Sequence, residues 1–326
     1  MTCDPDQLQL AQSALFSRAR DAVAAHILLA ASQDRPLERY LPERPDGFVV
    51  RLAHPAFKAH PRFAPLLIRL TDAHDPLLDA SVALAIAQAK DVTLRSRQIG
   101  GWIFDSRDQD ALARHLSQRL TLSHPGGKAR LRLHDPRVLA QLTVLLTQQQ
   151  LAWLAGGMQA WCYMDEGAGL REVPRLEVKQ RVTRLSVDSR QWQALQRTGA
   201  VNEVIRTMRM TGAGFRTEWL KRAHELLARA PERGHAELHD QIAYAVHSML
   251  FHPRFDTHAV VRRALADARE SNAGFCVAMA GFDKSTLARI AQDLERAQEE
   301  DRKGSQNNEQ PDHRQPAADG IGDNRR

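Results

Sequence analysis

The sequence predicts an α/β (α+β) N-terminal lobe, a mixed sheet flanked by helices, followed by an all-α C-terminal lobe and a disordered tail. Three observations carry that prediction. Up to about residue 170, short apolar or alternating runs interleave with stretches of helical period, the pattern of strands and helices packed in layers. After Arg184 nothing alternates with period two, and almost every apolar residue recurs at helical spacing. Beyond Glu300 the run GSQNNEQPDHRQPAADGIGDNRR has almost no large apolar side chain and cannot offset its ordering entropy. The resulting organisation is residues 1–170 for the first lobe, 171–185 for a basic linker, 186–300 for a helical lobe and 301–326 for the tail.

In order, residues 6–24 read as a helix on Leu8, Leu15, Phe16 and Val23, and Ile27 to Ala31 as a short buried strand. Gly47 to Leu52 and Pro65 to Leu70 are strands joined by a loop punctuated by Pro55 and Pro61. Leu77 to Ala89 is an alanine-rich helix, and the continuous apolar run Gly100 to Phe104 is a strand covered on both faces. Ser106 and Gln109 have capping-box spacing before a helix carrying Leu112, Leu116 and Leu120. Between Lys128 and His134, Ala129, Leu131 and Leu133 alternate with basic residues, giving a strand with one apolar and one basic face.

Asp135 is then an N-cap, Pro136 sits at the first helical position, and Val138, Leu139, Leu142, Leu145 and Leu146 form a buried stripe. Gln148 to Leu154 continues or restarts that helix, ended by Gly156-Gly157, and Ala160 to Tyr163 is the last strand. The helical lobe begins with Trp192, Leu195, Val204, Ile205 and Met208, with a break at Gly199. Phe215 to Leu227 stops before Pro231, Leu238 to Met249 stops before Pro253, and two further helices carry Val260, Val261 and Leu265, then Leu287, Ile290 and Leu294.

A chain of 326 residues with 43% hydrophobic composition has material for one large domain or two modest ones. Its three cysteines, Cys3, Cys162 and Cys276, are widely spaced and suggest neither a disulfide framework nor a zinc knuckle, which fits a reducing, cytoplasmic setting. The first ten residues lack the basic and apolar regions of a signal peptide, and no apolar run is long enough to cross a bilayer. The net charge of +6 is concentrated in residues 51–150, where 14 Lys and Arg face 8 Asp and Glu. Such a basic face attracts nucleic acid, a membrane surface or an acidic protein segment. Without aromatics between the arginines, a base-stacking platform is poorly supported.

Enzyme motifs are absent: Gly126-Gly127-Lys128 lacks the rest of a P-loop, and there is no GxSxG, HExxH, CxxC or GxGxxG. Loop histidines His54, His60 and His74, with His134 beside Asp135, are the material for a metal site or general base, though scattered loop histidines read first as solvated surface. Arg132, Asp135 and Arg137 read first as architecture, a capped helix start with an arginine to pair the cap, and second as a dock for an acidic or helical segment. Trp153 and Trp161 read first as core anchors and second as interface hot spots. The basic linker, with Arg171, Arg175, Lys179, Arg181, Arg184 and Arg190, reads as a solvated face before a phosphate contact.

The run Arg132-Leu133-His134-Asp135-Pro136-Arg137 resembles the "R, aromatic, aromatic, D-P-R" signature of a domain family found in type VI secretion adaptor proteins, the effector chaperones. Ala64-Pro65-Leu66-Leu67-Ile68 resembles that family's "A-P-x-L-hydrophobic" strand, Gly101 to Ser106 its "G-hydrophobic-Ser" strand end, and His115-Leu116 its later "H-L" pair. Leu133 and His134 stand where the family has an aromatic pair, and the early "L-D-G" element survives only as Leu28 to Ser32. The resemblance covers roughly residues 25–165 and implies a non-enzymatic adaptor, without cofactor or metal. Its implied partners are a toxic effector protein and the C-terminal extension of a VgrG spike protein. Arg130, Arg132, Asp135, Arg137, Trp153 and Trp161 are the partner-binding candidates. The competing readings are a basic nucleic-acid-binding protein and a small hydrolase with its site around Ser106 and His134 to Arg137.

Overall fold

The seven residues Ile99–Asp105 form a strand buried along its whole length, and a six-stranded sheet extends from it in both directions. The computed structural model describes residues 5–31, 36–42, 44–175 and 183–307. They divide between two units, Met1–Val246 and His247–Arg326, with the division inside a helix. The first unit runs α1 (Pro5–Asp21), β1 (Ala24–Leu29), β2 (Val49–Arg51), β3 (Leu66–Arg69), α2 (Pro76–Lys90), β4 (Ile99–Asp105) and α3 (Gln109–Arg119). It continues through β5 (Thr121–His124), β6 (Gly127–Arg130), α4 (Pro136–Leu145), α5 (Gln148–Ala155), β7 (Ala160–Met164) and β8 (Leu170–Glu172). Helices α6 (Ser189–Gln196), α7 (Thr198–Met210), α8 (Glu218–Arg229) and α9 (Leu238–Leu250) follow.

The sheet order is β2-β3-β1-β4-β7-β8. The sequence suggested a sheet of mixed directions, but every pairing in this one is antiparallel. Ile27, Ile68, Trp102, Phe104 and Cys162 point to one face and pack with Leu15 of α1 and Val82 and Ile86 of α2. Trp102 donates its indole N–H to Ser81 Oγ of α2 at 2.8 Å, so the largest side chain of that layer has its polar atom paired. His26, Leu28, Leu67, Ile103, Asp105 and Trp161 point to the opposite face by the two-residue alternation of the strands. There α3 and α4 cover the sheet, and Gln109 of α3 donates to the Leu67 carbonyl at 2.9 Å.

Local chemistry explains most element ends, with departures from the sequence reading where a tertiary partner competed. Helix α3 is capped by Asp108, which accepts from Ala111 N at 2.7 Å, in place of the expected Ser106–Gln109 box. Gln109 is buried and its amide serves the carbonyls of Phe48 and Leu67. The expected strand 128–134 is shorter: β6 ends at Arg130 and pairs with β5 in a separate hairpin. Leu131 N makes the last ladder bond, to Leu120 O, and the chain then turns through Arg132 O and Asp135 N, although Leu131 and Leu133 are buried as their alternation implied. Thr147 and Gln150 make a reciprocal capping box for α5, and Gly156 ends it in the left-handed conformation. The break between α6 and α7 falls at Arg197, two residues before Gly199.

Part of the segment read as a linker is strand β8, where Arg171 pairs with Asp165 at 2.7 Å; residues 176–182 lie outside the described residues. The second unit contains α10 (Ala259–Glu270), α11 (Phe275–Met279) and α12 (Lys284–Asn307). Its core gathers Phe255, Val261, Phe275, Leu287 and Ile290, with Phe255 and Phe275 edge-to-face at 5.9 Å. Helix α12 carries residues 301–307, which the sequence assigned to the tail; residues 308–326 lie outside the described residues.

Two glycines let β4 be crossed closely. A Cβ on Gly100 would stand 2.8 Å from His134 Cα, so the loop into α4 passes over the start of the strand with no room for a side chain. Gly101 has φ +143°, and a Cβ there would meet the Cys162 carbonyl oxygen and come within 2.9 Å of Trp161 Nε1. A Gly101→Ala protein is expected to lose about 3 kcal/mol or more, through combined strain and clash. Urea titration with far-UV detection measures this, and a loss no larger than that of an exposed helical substitution would contradict the assigned crossing.

Candidate functional site

The Asp-Pro-Arg signature lies where β4 begins, held by the Gly100 crossing. Asp135 is 3% exposed and caps α4, its Oδ1 accepting from Arg137 N at 3.1 Å. Arg137 folds back on the same carboxylate, Nε to Oδ1 at 2.9 Å and Nη2 to Oδ2 at 2.8 Å, the planar fork that matches a carboxylate. Burial by itself would raise the Asp135 carboxyl, but the Arg137 guanidinium outweighs it and holds the group below the usual carboxylate value. Arg132, largely exposed, stands 3.4 Å from Oδ2.

From Arg137 the network spreads into elements distant in sequence. Arg137 Nη2 also donates to the Arg95 carbonyl at 2.9 Å, fixing the loop before β4. Arg95 and Arg206 share Glu203 of α7 at 2.9 and 2.7 Å. Glu166, just past β7, receives Arg97 at 2.9 Å and Arg209 of α7 at 2.8 Å, and Arg209 also donates to the Ala89 carbonyl at the end of α2. Six arginines (95, 97, 132, 137, 206 and 209) thus gather on three carboxylates. The surface over this knot is basic, since Arg95 and Arg132 have side chains 72% and 55% exposed.

A second knot sits where β4 ends. Asp105, 1% exposed, is clasped by Arg107, whose other amino group reaches His115 Nδ1. Arg119 donates to the carbonyls of Trp153 and Leu154 and lies over the Trp153 ring at 4.4 Å, tying α3 to α5. Burial first, then Arg119 and Arg107, push His115 down to about 3, so it is neutral at physiological pH. Its ring fills the space beside Gly156, where a Cβ would collide with it.

The candidates therefore separate. Arg130 and Arg132 are exposed, and Arg130 lies over the Phe57 ring at 4.8 Å. Asp135 and Arg137 are committed to each other, Trp153 is half-buried under Arg119, and Trp161 is 1% exposed in the sheet interior. Ser106 and His134, the two ends of the hydrolase reading, lie at opposite ends of β4, roughly 20 Å apart at strand rise. His54 bonds to Thr121 at 3.0 Å, His60 packs on Phe63 and His74 on Phe16, so the loop histidines have separate neighbours and, among the described residues, join no three-ligand cluster.

Sequence reading passed over Asp75-Pro76, the same dipeptide as Asp135-Pro136. Asp75 caps α2 and is clasped bidentately by Arg44 at 2.7 and 2.8 Å. The repeated Asp-Pro was the available signal. Glu166 and its two arginines carried none, their partners being 43 and 69 residues away.

The fold and the two knots define an antiparallel sheet layered between helices, continued by helices. Residues 25–152 match the family model described as "Domain of unknown function (DUF4123)". That segment contains β1 to β6, the signature and both partners of its central ion pair. No curated protein and no solved structure matches the chain.

Removing one charge of the buried pair strands the other, so Asp135→Asn is expected to cost about 3 kcal/mol, whereas Pro136→Ala should cost a small fraction of that. Equal losses in chemical denaturation would contradict the pairing. The buried histidines set a separate pH dependence. Burial, then Arg132, push His134 down to about 4, and burial pushes His26 and His224 to about 4. A base depressed in the folded state takes up protons on unfolding, so its stability contribution is complete above about 6.5 and is lost as pH falls towards about 4. Melting temperature should therefore fall across that window, above the range where the aspartates titrate. His134→Phe should flatten part of the slope; an unchanged slope would place His134 outside the effect.

Proposed function

We infer that the protein is a non-enzymatic adaptor of type VI secretion, binding a toxic effector protein and loading it onto the C-terminal extension of a VgrG spike. The observation that carries this reading is the family match over residues 25–152, with the signature inside it. The chemistry of the signature supports it. Asp135 and Arg137 satisfy each other, Asp105 is held by Arg107, and His115 and His134 are both pushed below the range of a useful general base. What faces outward is a basic surface, with Arg95, Arg130 and Arg132 able to meet an acidic partner. Among the described residues no helix is long and apolar enough to cross a membrane. Contacts to two partners through one chain, each modest, give useful combined affinity when the two partners are held together.

The test is co-expression of the tagged chain with the effector and spike genes of its own cluster. Retention of both proteins is expected, and Lys128→Glu with Arg130→Glu, exposed and without an ion pair among the described residues, should weaken retention of at least one while leaving the melting temperature within about 2 °C. Failure to retain either protein would overturn the reading.

A further inference from the structure

Strand β2 is an open edge of the sheet, and it has a groove on each of its faces. Ladder bonds join Arg69 N to Phe48 O and Leu52 N to Pro65 O, so Val49 and Arg51 turn their N–H and C=O groups away from β3. Those four groups have no hydrogen-bond partner among the described residues. On one face lies a cavity of about 210 Å³ with an apolar floor of Leu29, Leu37, Val49 and Leu66 and with two arginines, Arg51 and Arg62, against one carboxylate, Glu38, at its wall. On the other lies a groove of about 350 Å³ between Val50 and Ala113 of α3, bordered by Asp110 and Arg114.

We propose that β2 takes up an extended acidic segment of a partner protein as an added antiparallel or parallel strand, the partner's side chains falling alternately into the two grooves. An added strand sends successive residues to opposite faces, which is the arrangement of these grooves about Val49–Arg51. The charge selects the occupant. Arg51, Arg62 and Arg114 are exposed, and none makes an ion pair among the described residues; Arg62 rests on the Phe63 ring at 5.0 Å, itself 47% exposed. Carboxylates alternating with apolar residues set the acidic side chains against Arg51 and Arg62 and the apolar ones against Val50 and Ala113 on the other face. The opposite edge differs: the charges of β8 are already paired, Glu172 with Arg18 of α1 at 2.6 Å and Arg171 with Asp165 at 2.7 Å, so its guanidinium is engaged before any segment arrives.

The proposal rests on the adaptor reading for the source of the segment, and its test separates the two. The probes are acetylated peptides about seven residues long, enough for one strand. One alternates Glu and Val, a second has the same composition in two blocks, and a third alternates Lys and Val. Fluorescence anisotropy should show binding of the alternating acidic peptide alone. Val49→Pro removes an outward N–H without touching the β3 ladder, and should weaken that binding about tenfold, the equivalent of one backbone hydrogen bond. Arg62→Glu, an exposed change that leaves the fold intact, should weaken it comparably. Equal binding of the block peptide, unchanged binding to both variants, or no binding at all overturns the proposal. If effector and spike still co-purify with both variants at wild-type level, the edge-strand inference fails while the adaptor reading stands; if wild type retains neither, the adaptor reading fails by itself.

Discussion

A carboxylate taken out of water must find a cation and donors, and this fold meets that constraint four times. Asp75, Asp105, Asp135 and Asp165 are each nearly inaccessible, and each is clasped by an arginine, Arg44, Arg107, Arg137 and Arg171 in turn, with Arg132 a more distant second cation at Asp135. All four stand at the end of a strand or the start of a helix, and each also accepts from a backbone N–H two or four residues away. Desolvating an ion costs several kcal/mol, and only good geometry with the remaining lone pairs occupied offsets it. The pairs therefore act as direction-setters. Each permits one path for the chain where it leaves the sheet, and helices α2, α3 and α4 begin along those paths.

That commitment shapes the functional reading. The most distinctive residues of the Asp-Pro-Arg run are occupied with one another and with the chain around them, so the groups that stand out in the sequence hold the scaffold. In the proposed adaptor role, contact with other molecules falls to what the scaffold displays: a basic surface over the start of β4, and a sheet edge whose outward backbone groups have no partner among the described residues.

Where the sequence could be read, a local cause was sufficient. The continuous apolar run at β4, the Asp135-Pro136 helix start and the Gly156 helix stop are each set by neighbours within a few residues, and each falls where expected. The short strands β5 and β8 were not legible, because four residues with half-buried polar positions, or three in all, carry no period. The Ser106 capping spacing was a sound local argument defeated by a distant one, since the carbonyls of Phe48 and Leu67 claim the Gln109 amide. Of the candidate site, the Asp135–Arg137 pair was readable from its spacing. The arginines sharing Glu166 and Glu203 were not, because their meeting depends on the finished fold.

Glu166 and Arg209 have a further consequence for where this module ends. The family pattern stops at residue 152, yet β7 and β8 complete the sheet beyond it, and α7 supplies a cation to a carboxylate that also holds Arg97 inside the pattern. An excised segment cut at the pattern's limit would leave β4 with a raw flank and Arg97 without its counter-ion. The matched segment is thus smaller than the sheet it belongs to, and β7, β8 and α7 complete contacts that β4 and Arg97 begin.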